Sequence, residues 1–411
     1  MASHTIEEEQ RLYKHIQPPE DSDTTDLGYF ATTEDDEDDI EILAEPWYRY
    51  NTAGDSRTFY PICIGEVLNQ RYRIDHKLGQ GGFSPAWMAY DLETKSDVGV
   101  KDLASRENLG EHEVDMQEEI RKNVQDTSHL VTSLESFFLP VPGDKRSHRV
   151  LVFPLKGRAL GSIHVNKTLS MSTRMSPARQ LLKALESLHN AGIVHRDLNS
   201  QNYMWGVASL HHLNKAAKYE ILGRLFKQII PFVITYALRI SIFGDFDLAM
   251  RLGGPATQGR PPSMYCSPDR LHNKPPSFAC DMWSYMCAFS ELYLGFVSFN
   301  TLPRGGIISS MVLTLGPLPK EWKGLYVDPE SSPDIWYDQN RELAPDDSLE
   351  ADIAYRRPES DPVERQHALS VLSRGFSYVP EERPTATHHS ELLRTSTVDS
   401  ILLGYFFPLF S

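Results

Sequence analysis

The most constraining feature of this sequence is an eight-residue stretch that reads HRDLNSQN, from His195 to Asn202. It places an acid, Asp197, directly after a basic residue and an amide, Asn202, five positions after the acid. This spacing suits phosphoryl transfer, in which the carboxylate accepts a proton from an attacking hydroxyl and the amide helps to hold a metal ion near a phosphate. One short match can arise by chance, so the prediction depends on partners elsewhere in the chain.

The composition predicts a globular protein. The chain has 411 residues, 40% of them hydrophobic, which allows two or three units with substantial cores. Its four cysteines lack metal-ligand spacing, and we expect buried reduced thiols. The most apolar stretches, 229–238 and 401–410, are far shorter than the roughly 20 residues that span a bilayer. Because Met1 to Glu9 is unlike a signal peptide, we expect a soluble intracellular protein of the cytoplasm or nucleus, without a membrane partner.

The negative charge is concentrated at the N-terminus. Residues 1–47 carry 15 acidic and two basic side chains, which accounts for −13 of the total net charge of −15. The acidic run from Glu34 to Asp39 has no apolar period, so we expect residues 1–59 to form a disordered tail. A solvating tail and an arm that binds basic partners both fit this pattern. Without a basic patch, no nucleic-acid partner is expected.

A strand–glycine turn–strand pattern opens the expected globular part. Alternating apolar and polar residues begin near Tyr60 and predict strands up to Leu78. Gly79 and Gly81 then turn the chain, and a second strand resumes at Ala86. Main-chain N–H groups in such a turn can approach phosphate oxygens closely. Because the glycines do not open a helix, the pattern differs from a dinucleotide site, and a plain β-turn is the alternative.

Three segments follow this hairpin. The sequence VGVK ends at Lys101 and predicts a strand whose valines face one side and whose lysine faces the other. An acidic helical segment contains Glu118 and Glu119, and residues 148–157 read as a buried strand. A surface lysine and exposed helix glutamates are the ordinary alternatives for these charged residues.

The second half of the chain carries further motifs. Apolar residues at helical spacing predict a helix over 177–189, with short strands at 193–194 and 203–205 on either side of the HRDLNSQN loop. Residues 207–239 read as an insertion, and the sequence FGDFD follows at 243–247. The remaining motifs are Ser267-Pro268-Asp269, a strongly apolar helix containing Asp281, and PEERPT containing Arg383.

From Gly65 to about Leu393, these motifs resemble a eukaryotic-type protein kinase in their order and spacing. Within that superfamily the chain resembles fungal SR-protein-kinase-like Ser/Thr kinases, through the segment IGEVLNQRYRIDHKLG, the serine at 84 and the insertion. The resemblance implies an α+β, bilobal protein-kinase fold. A small β-rich N-lobe would cover 60–155, a larger and mainly helical C-lobe 156–395, and an apolar tail 396–411.

The resemblance also implies roles for individual residues. Lys101, with Glu119 or the adjacent Glu118, would orient the α- and β-phosphates of ATP, and Asp197 would accept the proton of a Ser or Thr hydroxyl. Magnesium would be held by Asn202 and Asp245. Asp281 would hold the backbone of the catalytic loop, and Asp269 would pair with Arg383 in the large lobe. ATP would contact Leu78, Gly79, Gly81, Phe83, Ser84, Ala86, Lys101, Pro154 and Leu155.

Two positions depart from the family pattern. Asn199 stands where Ser/Thr kinases carry a lysine, and the loss of one preorganised donor typically costs roughly 10²–10³ in rate. Asp247 replaces the glycine of Asp-Phe-Gly, a position where glycine reaches backbone angles less accessible to Asp. The additional carboxylate is able either to bind the metal or to repel phosphate.

Three functions therefore compete. The first is an ATP-dependent Ser/Thr protein kinase, active on basic Ser/Arg-rich substrates by resemblance. The second, motivated by Asn199 and Asp247, is a pseudokinase-like binding or scaffold module with weak or no phosphotransfer. The third is a small-molecule phosphotransferase, which the motifs around Asp269, Asp281 and Arg383 argue against. The expected partners are ATP, magnesium and a protein substrate, and the expected state is a monomer.

Overall fold

The computed structural model describes most of the chain between Phe59 and Thr395. The described residues are 59–60, 62–80, 85–103, 109–140, 147–157, 159–160, 169–207, 210, 213, 237–255, 259–302, 306–322 and 343–395. They belong to two compact units. The first combines the described residues up to Gly110 with 133–155, 210 and 213, and the second combines 111–132, 156–207 and those from Ala237 onward. The predicted acidic tail and apolar C-terminal tail lie outside the described residues.

The first unit is built on a six-stranded antiparallel sheet. Its strands are β1 (Val67–Leu68), β2 (Tyr72–Gln80), β3 (Pro85–Asp91), β4 (Ser96–Asp102), β5 (Glu135–Pro140) and β6 (Ser147–Pro154). The spatial order is β1-β2-β3-β4-β6-β5. Alternate residues of these strands form one apolar core, because successive side chains of a strand point to opposite faces. The strand residues of this core are Leu68, Tyr72, Ile74, Trp87, Ala89, Val98, Val100, Phe137, Leu139, Val150 and Val152, and Ile62, which precedes β1, belongs to the same core.

The second unit is mainly helical. Its helices are α1 (Leu109–Asn123), α2 (Met171–Asn190), α3 (Pro268–Leu271), α4 (Phe278–Leu294), α5 (Gly306–Leu315), α6 (Leu349–Arg356), α7 (Pro362–Gly375) and α8 (Ala386–Thr395). Helix α1 begins in the first unit and continues into the second. Four short strands pair antiparallel, β7 (Ile193–Val194) with β10 (Met250–Arg251) and β8 (Tyr203–Val207) with β9 (Ala237–Phe243). The predicted α+β fold, with a β-rich first part and a helical second part, is confirmed.

Helices α2 and α4 form the centre of the second unit. Helix α4 is buried along nearly its whole length and ends at Gly295, whose φ of 75° suits glycine at a helix C-terminus. The helix predicted over 177–189 exists but begins earlier, at Met171. Ser170 sets this start because its hydroxyl accepts a hydrogen bond from the Thr173 N–H at 3.3 Å. The prediction missed residues 171–176 because the start of the helix is marked by a capping serine and not by an apolar repeat.

The structure also bears on the expectations for the short strands, the insertion, the cysteines and the apolar helices. The short strands predicted on either side of the catalytic loop are present as β7 and β8. Strand β9 begins inside the predicted insertion, most of which lies outside the described residues. Cys266, Cys280 and Cys287 are buried free thiols as expected, whereas Cys63 is exposed. Within the described part of the chain, every helix lacks either the length or the apolar content that a bilayer crossing requires.

Candidate active site

Asp281 on α4 fixes the backbone of the loop from His195 to Asn202. Its two carboxylate oxygens accept hydrogen bonds from the His195 N–H at 2.7 Å and from the Arg196 N–H at 2.8 Å. One of them also lies 3.1 Å from Nε2 of His189 on α2. Asp281 is only 1% exposed, so water does not compete for these bonds. The role that the resemblance implied for Asp281 is confirmed.

Arg196 connects the catalytic loop to Leu248 and Gly259, which lie further along the chain. Its guanidinium donates to the main-chain oxygen of Leu248 at 3.0 Å and to that of Gly259 at 3.1 Å. Its backbone has a φ of 72°, an unusual conformation for a residue with a side chain. Such a conformation persists only when neighbouring contacts determine it, and the bond from the Arg196 N–H to Asp281 is one of these contacts.

Asp197, the predicted proton acceptor, is held by two amide side chains. Nδ2 of Asn202 donates to Oδ2 of Asp197 at 2.9 Å, and Nδ2 of Asn199 donates to Oδ1 at 3.1 Å. The same two nitrogens also donate to the main-chain oxygen of Asp197, at 2.9 and 3.1 Å respectively. The carboxylate therefore has a fixed orientation, and its oxygens retain lone pairs for another donor.

Three carboxylates meet beside this loop. Oxygens of Asp197, Asp245 and Asp247 lie within 4.8 Å of one another. Burial, followed by the charges of Asp245 and Asp247, raises the pKa of Asp197 to about 7, while the hydrogen bonds from Asn202 and Asn199 oppose this shift. A carboxylate with a pKa near neutrality suits proton transfer at physiological pH.

Asp245 and Asp247 differ in backbone conformation. Asp245 has a φ of 68°, whereas Asp247 is not among the described residues with positive φ. The backbone at 247 therefore does not require glycine, and the expected strain of an aspartate at this position is absent. The effect of Asp247 on the site is instead electrostatic, because it adds a negative charge close to Asp197.

The donor atoms at this cluster fit a magnesium ion. Three carboxylates and the side-chain oxygen of Asn202 are hard ligands of the kind that Mg²⁺ prefers, and Mg²⁺ is normally bound through one or two carboxylates. Asp245 and Asn202 are the predicted ligands. Asp247 lies close enough to join the same set, a possibility that the sequence left open.

The register of the first unit's sheet aligns several of the predicted nucleotide-binding residues. Gly79 on β2 lies opposite Ala86 on β3, and Ala86 lies opposite Lys101 on β4. Lys101 in turn pairs with Leu151 on β6, the strand that ends at Pro154. Leu78 directly precedes Gly79 on β2, and Leu155 directly follows Pro154.

Gly81, Phe83 and Ser84 lie outside the described residues. The roles of all the predicted nucleotide-binding residues stay predictions.

Comparison with known proteins decides the family. A family profile described as "Protein kinase domain" matches residues 72–392. The chain belongs to the protein kinase family. The family assignment made from the motifs is therefore confirmed. Protein kinases in general use ATP and Mg²⁺.

Similar curated proteins carry kinase names. The chain is 25% identical over 282 residues to the probable serine/threonine-protein kinase clkA of Dictyostelium discoideum, covering 64% of this chain and 29% of clkA. It is 33% identical over 158 residues to protein kinase dsk1 of Schizosaccharomyces pombe, covering 36% and 28%. Serine/threonine-protein kinase AFC1 of Arabidopsis thaliana is 24% identical over 272 residues, covering 63% and 55%. The chain thus spans less than two-thirds of each of these relatives.

The ion pair between Asp269 and Arg383 is present in this kinase domain. Nη2 of Arg383 lies 2.5 Å from Oδ1 of Asp269, and both side chains are almost completely buried. Arg383 also donates to the main-chain oxygens of Ser377 and Ala279 at 2.8 and 2.9 Å. The pair therefore joins the segment after α7 to α3 and to the start of α4.

Glu119, the predicted partner of Lys101, contacts other residues within its own unit. Its carboxylate forms an ion pair with Arg251 on β10 and accepts a hydrogen bond from Nδ2 of Asn123 at 2.5 Å. The buried carboxylate of α1 belongs instead to Glu113, which accepts a bond from Gln117 at 3.1 Å. Because Lys101 lies in the first unit, its pairing with Glu119 or Glu118 stays a prediction.

Sequence reasoning missed a buried polar network beneath the catalytic loop. The hydroxyls of Ser200 and Tyr265 lie 2.7 Å apart, and that of Tyr265 donates to Glu291 on α4 at 2.6 Å. Burial raises the pKa of the Glu291 carboxyl. The network links three parts of the chain: the catalytic loop, the segment that precedes α3, and helix α4 itself. Glu291, the second acid of the strongly apolar helix α4, was the available signal for it.

Proposed function

We propose that this protein is a Ser/Thr protein kinase that transfers the γ-phosphoryl group of ATP to hydroxyls of protein substrates. The observation that carries the proposal is the orientation of Asp197, whose carboxylate is held by two amides beside Asp245. Membership of the protein kinase family and the serine/threonine-kinase names of clkA and AFC1 support it.

In the proposed reaction, the hydroxyl oxygen of a substrate Ser or Thr attacks the γ-phosphorus, the bond to the β-phosphate oxygen breaks, and ADP leaves. Asp197 accepts the hydroxyl proton through a carboxylate that Asn199 and Asn202 hold in a fixed orientation. Asn202 fixes one carboxylate oxygen of Asp197 and, with Asp245, would hold magnesium. When bound, magnesium neutralises charge that develops on the phosphoryl oxygens. Lys101 would orient the α- and β-phosphates.

The proposed substrates are proteins with basic Ser/Arg-rich segments. This choice rests on the resemblance of residues 64–79 to SR-protein-kinase-like enzymes. A peptide of Arg-Ser repeats is therefore the first substrate to test, and a general Ser/Thr kinase substrate is the second.

A binding or scaffold role is the second candidate, and two observations favour it. Asn199 removes the cation that the family pattern places in the catalytic loop, and Asp247 adds a negative charge beside Asp197. Both changes make the site less favourable for the phosphates of ATP.

The two candidates are distinguished by phosphate transfer from Mg-ATP to the Arg-Ser peptide, measured for wild type and Asp197→Ala. We expect transfer by wild type and a loss of about 10²–10⁴-fold in the variant, the usual contribution of a general base. Asp346→Ala removes an exposed carboxylate far along the chain and serves as the matched control, with an unchanged rate expected. Absence of transfer by wild type to both the Arg-Ser peptide and the general substrate contradicts the proposed kinase, and so does equal transfer by wild type and Asp197→Ala.

A further inference from the structure

Asn199, which stands where the family pattern has a lysine, is buried and held in one orientation by hydrogen bonds. It is 4% exposed and makes three hydrogen bonds within the catalytic loop. Its Oδ1 accepts the main-chain N–H of Gln201 at 3.0 Å, while its Nδ2 donates to the main-chain oxygen and to Oδ1 of Asp197. Burial without these bonds would be unfavourable, because a buried amide without hydrogen-bond partners loses its hydration and gains nothing in return.

The bond from Gln201 determines which end of the Asn199 amide faces Asp197. Oxygen and nitrogen of an amide are assigned from their hydrogen-bond partners. Here the Gln201 N–H requires an acceptor, so Oδ1 of Asn199 points toward it and Nδ2 points toward the carboxylate. A rotated amide would place two donors together at Gln201 and two acceptors together at Asp197.

Asn199 and Asn202 together hold both oxygens of the Asp197 carboxylate. Asn199 donates to Oδ1 and Asn202 to Oδ2, and each also bonds the main-chain oxygen of Asp197. Two bonds on opposite oxygens restrict rotation of the carboxylate about χ2 more tightly than one bond does. The catalytic loop therefore supports its proton acceptor from both sides.

We propose that Asn199 is a positioning residue that orients the Asp197 carboxylate toward the attacking hydroxyl. This role rests on the proposed kinase activity. The side chain of Asn199 bonds to Asp197 and Gln201, so it acts on the reaction through Asp197. A proton acceptor must lie within hydrogen-bond distance of the hydroxyl in the correct orientation, and small displacements lower the rate strongly. Position 199 thus carries a function in proton transfer in place of a cation directed at phosphate.

Two substitutions separate this role from a purely structural one. Asn199→Asp retains an oxygen acceptor for the Gln201 N–H but replaces the donor that faces Asp197 with a second carboxylate oxygen. Asn199→Ala removes all three side-chain hydrogen bonds. Asn300→Ala is the matched control. Oδ1 of Asn300 accepts the N–H of Leu302 at 2.9 Å, the same type of bond that Asn199 makes with Gln201, and Asn300 lies outside the catalytic loop.

The experiment measures kcat and the KM for ATP with the full chain, Mg-ATP and the Arg-Ser peptide, together with the melting-temperature shift caused by Mg-ATP. We expect kcat to fall about 10–100-fold in Asn199→Ala and further in Asn199→Asp, part of the contribution of a general base. In Asn199→Ala the KM for ATP and the nucleotide-dependent shift should stay within about twofold of wild type, whereas the added negative charge of Asn199→Asp should also raise the KM for ATP. Asn300→Ala should match wild type in kcat and in KM.

The outcomes separate the two proposals. If wild type transfers phosphate and Asn199→Asp keeps a kcat within twofold of it, Asn199 does not position Asp197, and the kinase proposal stands. If the Asn199 variants raise KM without lowering kcat, the residue acts in nucleotide binding and the positioning role is wrong. If wild type transfers no phosphate, the proposed activity and the positioning role both fail.

Discussion

The two sides of the catalytic loop differ in how closely they follow the family pattern. On the buried side, Asp281 receives the main-chain N–H groups of His195 and Arg196, and Asp269 pairs with Arg383, as the resemblance implied. On the reacting side, Asn199 replaces a lysine and Asp247 replaces a glycine. The scaffold of a protein kinase is therefore retained while the charges around its proton acceptor are altered.

The two sides differ because folding and catalysis place different physical requirements on them. A buried carboxylate that loses its donors is left in a medium of low dielectric constant, so a change there threatens folding. The reacting side is partly open, and its carboxylates are compatible with the fold whether or not phosphate transfer is fast. Substitutions on the two sides should therefore separate stability from chemistry.

The largest effect is expected on the buried side, for Arg383→Ala. The substitution leaves Asp269 buried without its cation and removes the bonds to Ser377 and Ala279. We expect a loss of about 3–5 kcal/mol in the free energy of unfolding, measured by urea denaturation. Arg356→Ala is the matched control, since its ion pair with Asp352 is partly exposed and should contribute only about 0.3–0.5 kcal/mol. Equal losses in both variants would contradict the structural role of the buried pair.

The buried side was the more predictable one, for a physical reason. Asp281, Asp269 and Arg383 lie in short contiguous motifs, and the resemblance to protein kinases implied their partners. Such buried charges depend on those partners because losing them in a medium of low dielectric constant is costly. The strands around Gly79 and Lys101 were predictable as well, because alternation along a strand directly encodes which side is buried.

The reacting side could not be predicted to the same depth. The bonds of Asn199 depend on the backbone path of the loop, and no sequence spacing encodes whether an amide donates to a neighbouring carboxylate. The negative φ of Asp247 likewise belongs to the folded turn, so glycine at this position in other kinases suggested strain that the structure lacks. The ion pair of Glu119 with Arg251 joins residues far apart in sequence that no motif connects.

A smaller effect should come from the protonation of Asp197. Its pKa is about 7 in the folded protein against an ordinary value of 3.8, so between about pH 4 and 7 the folded state keeps a proton that the unfolded state releases. The free energy of unfolding should consequently decrease as pH rises through this window and stay level above it.

Metal-free wild type and Asp197→Asn should reveal this dependence, because the asparagine removes the titrating group. Between pH 5 and 8 we expect the melting temperature of wild type to fall relative to that of the variant, by a difference on the order of a few degrees. Parallel melting curves for the two proteins across this range would show that the pKa of Asp197 is not raised.

The smallest effect concerns the backbone at Asp247. Asp247→Asn removes the charge and keeps a side chain, whereas Asp247→Gly restores the residue of the family pattern. Because the backbone there does not adopt a positive φ, glycine gains no conformational advantage and makes the unfolded chain more flexible. We therefore expect the asparagine variant to be more stable than the glycine variant by about 0.4–1 kcal/mol in urea denaturation. A more stable glycine variant would instead indicate that glycine relieves backbone strain at position 247. The two sides of the loop would then differ in backbone conformation as well as in charge.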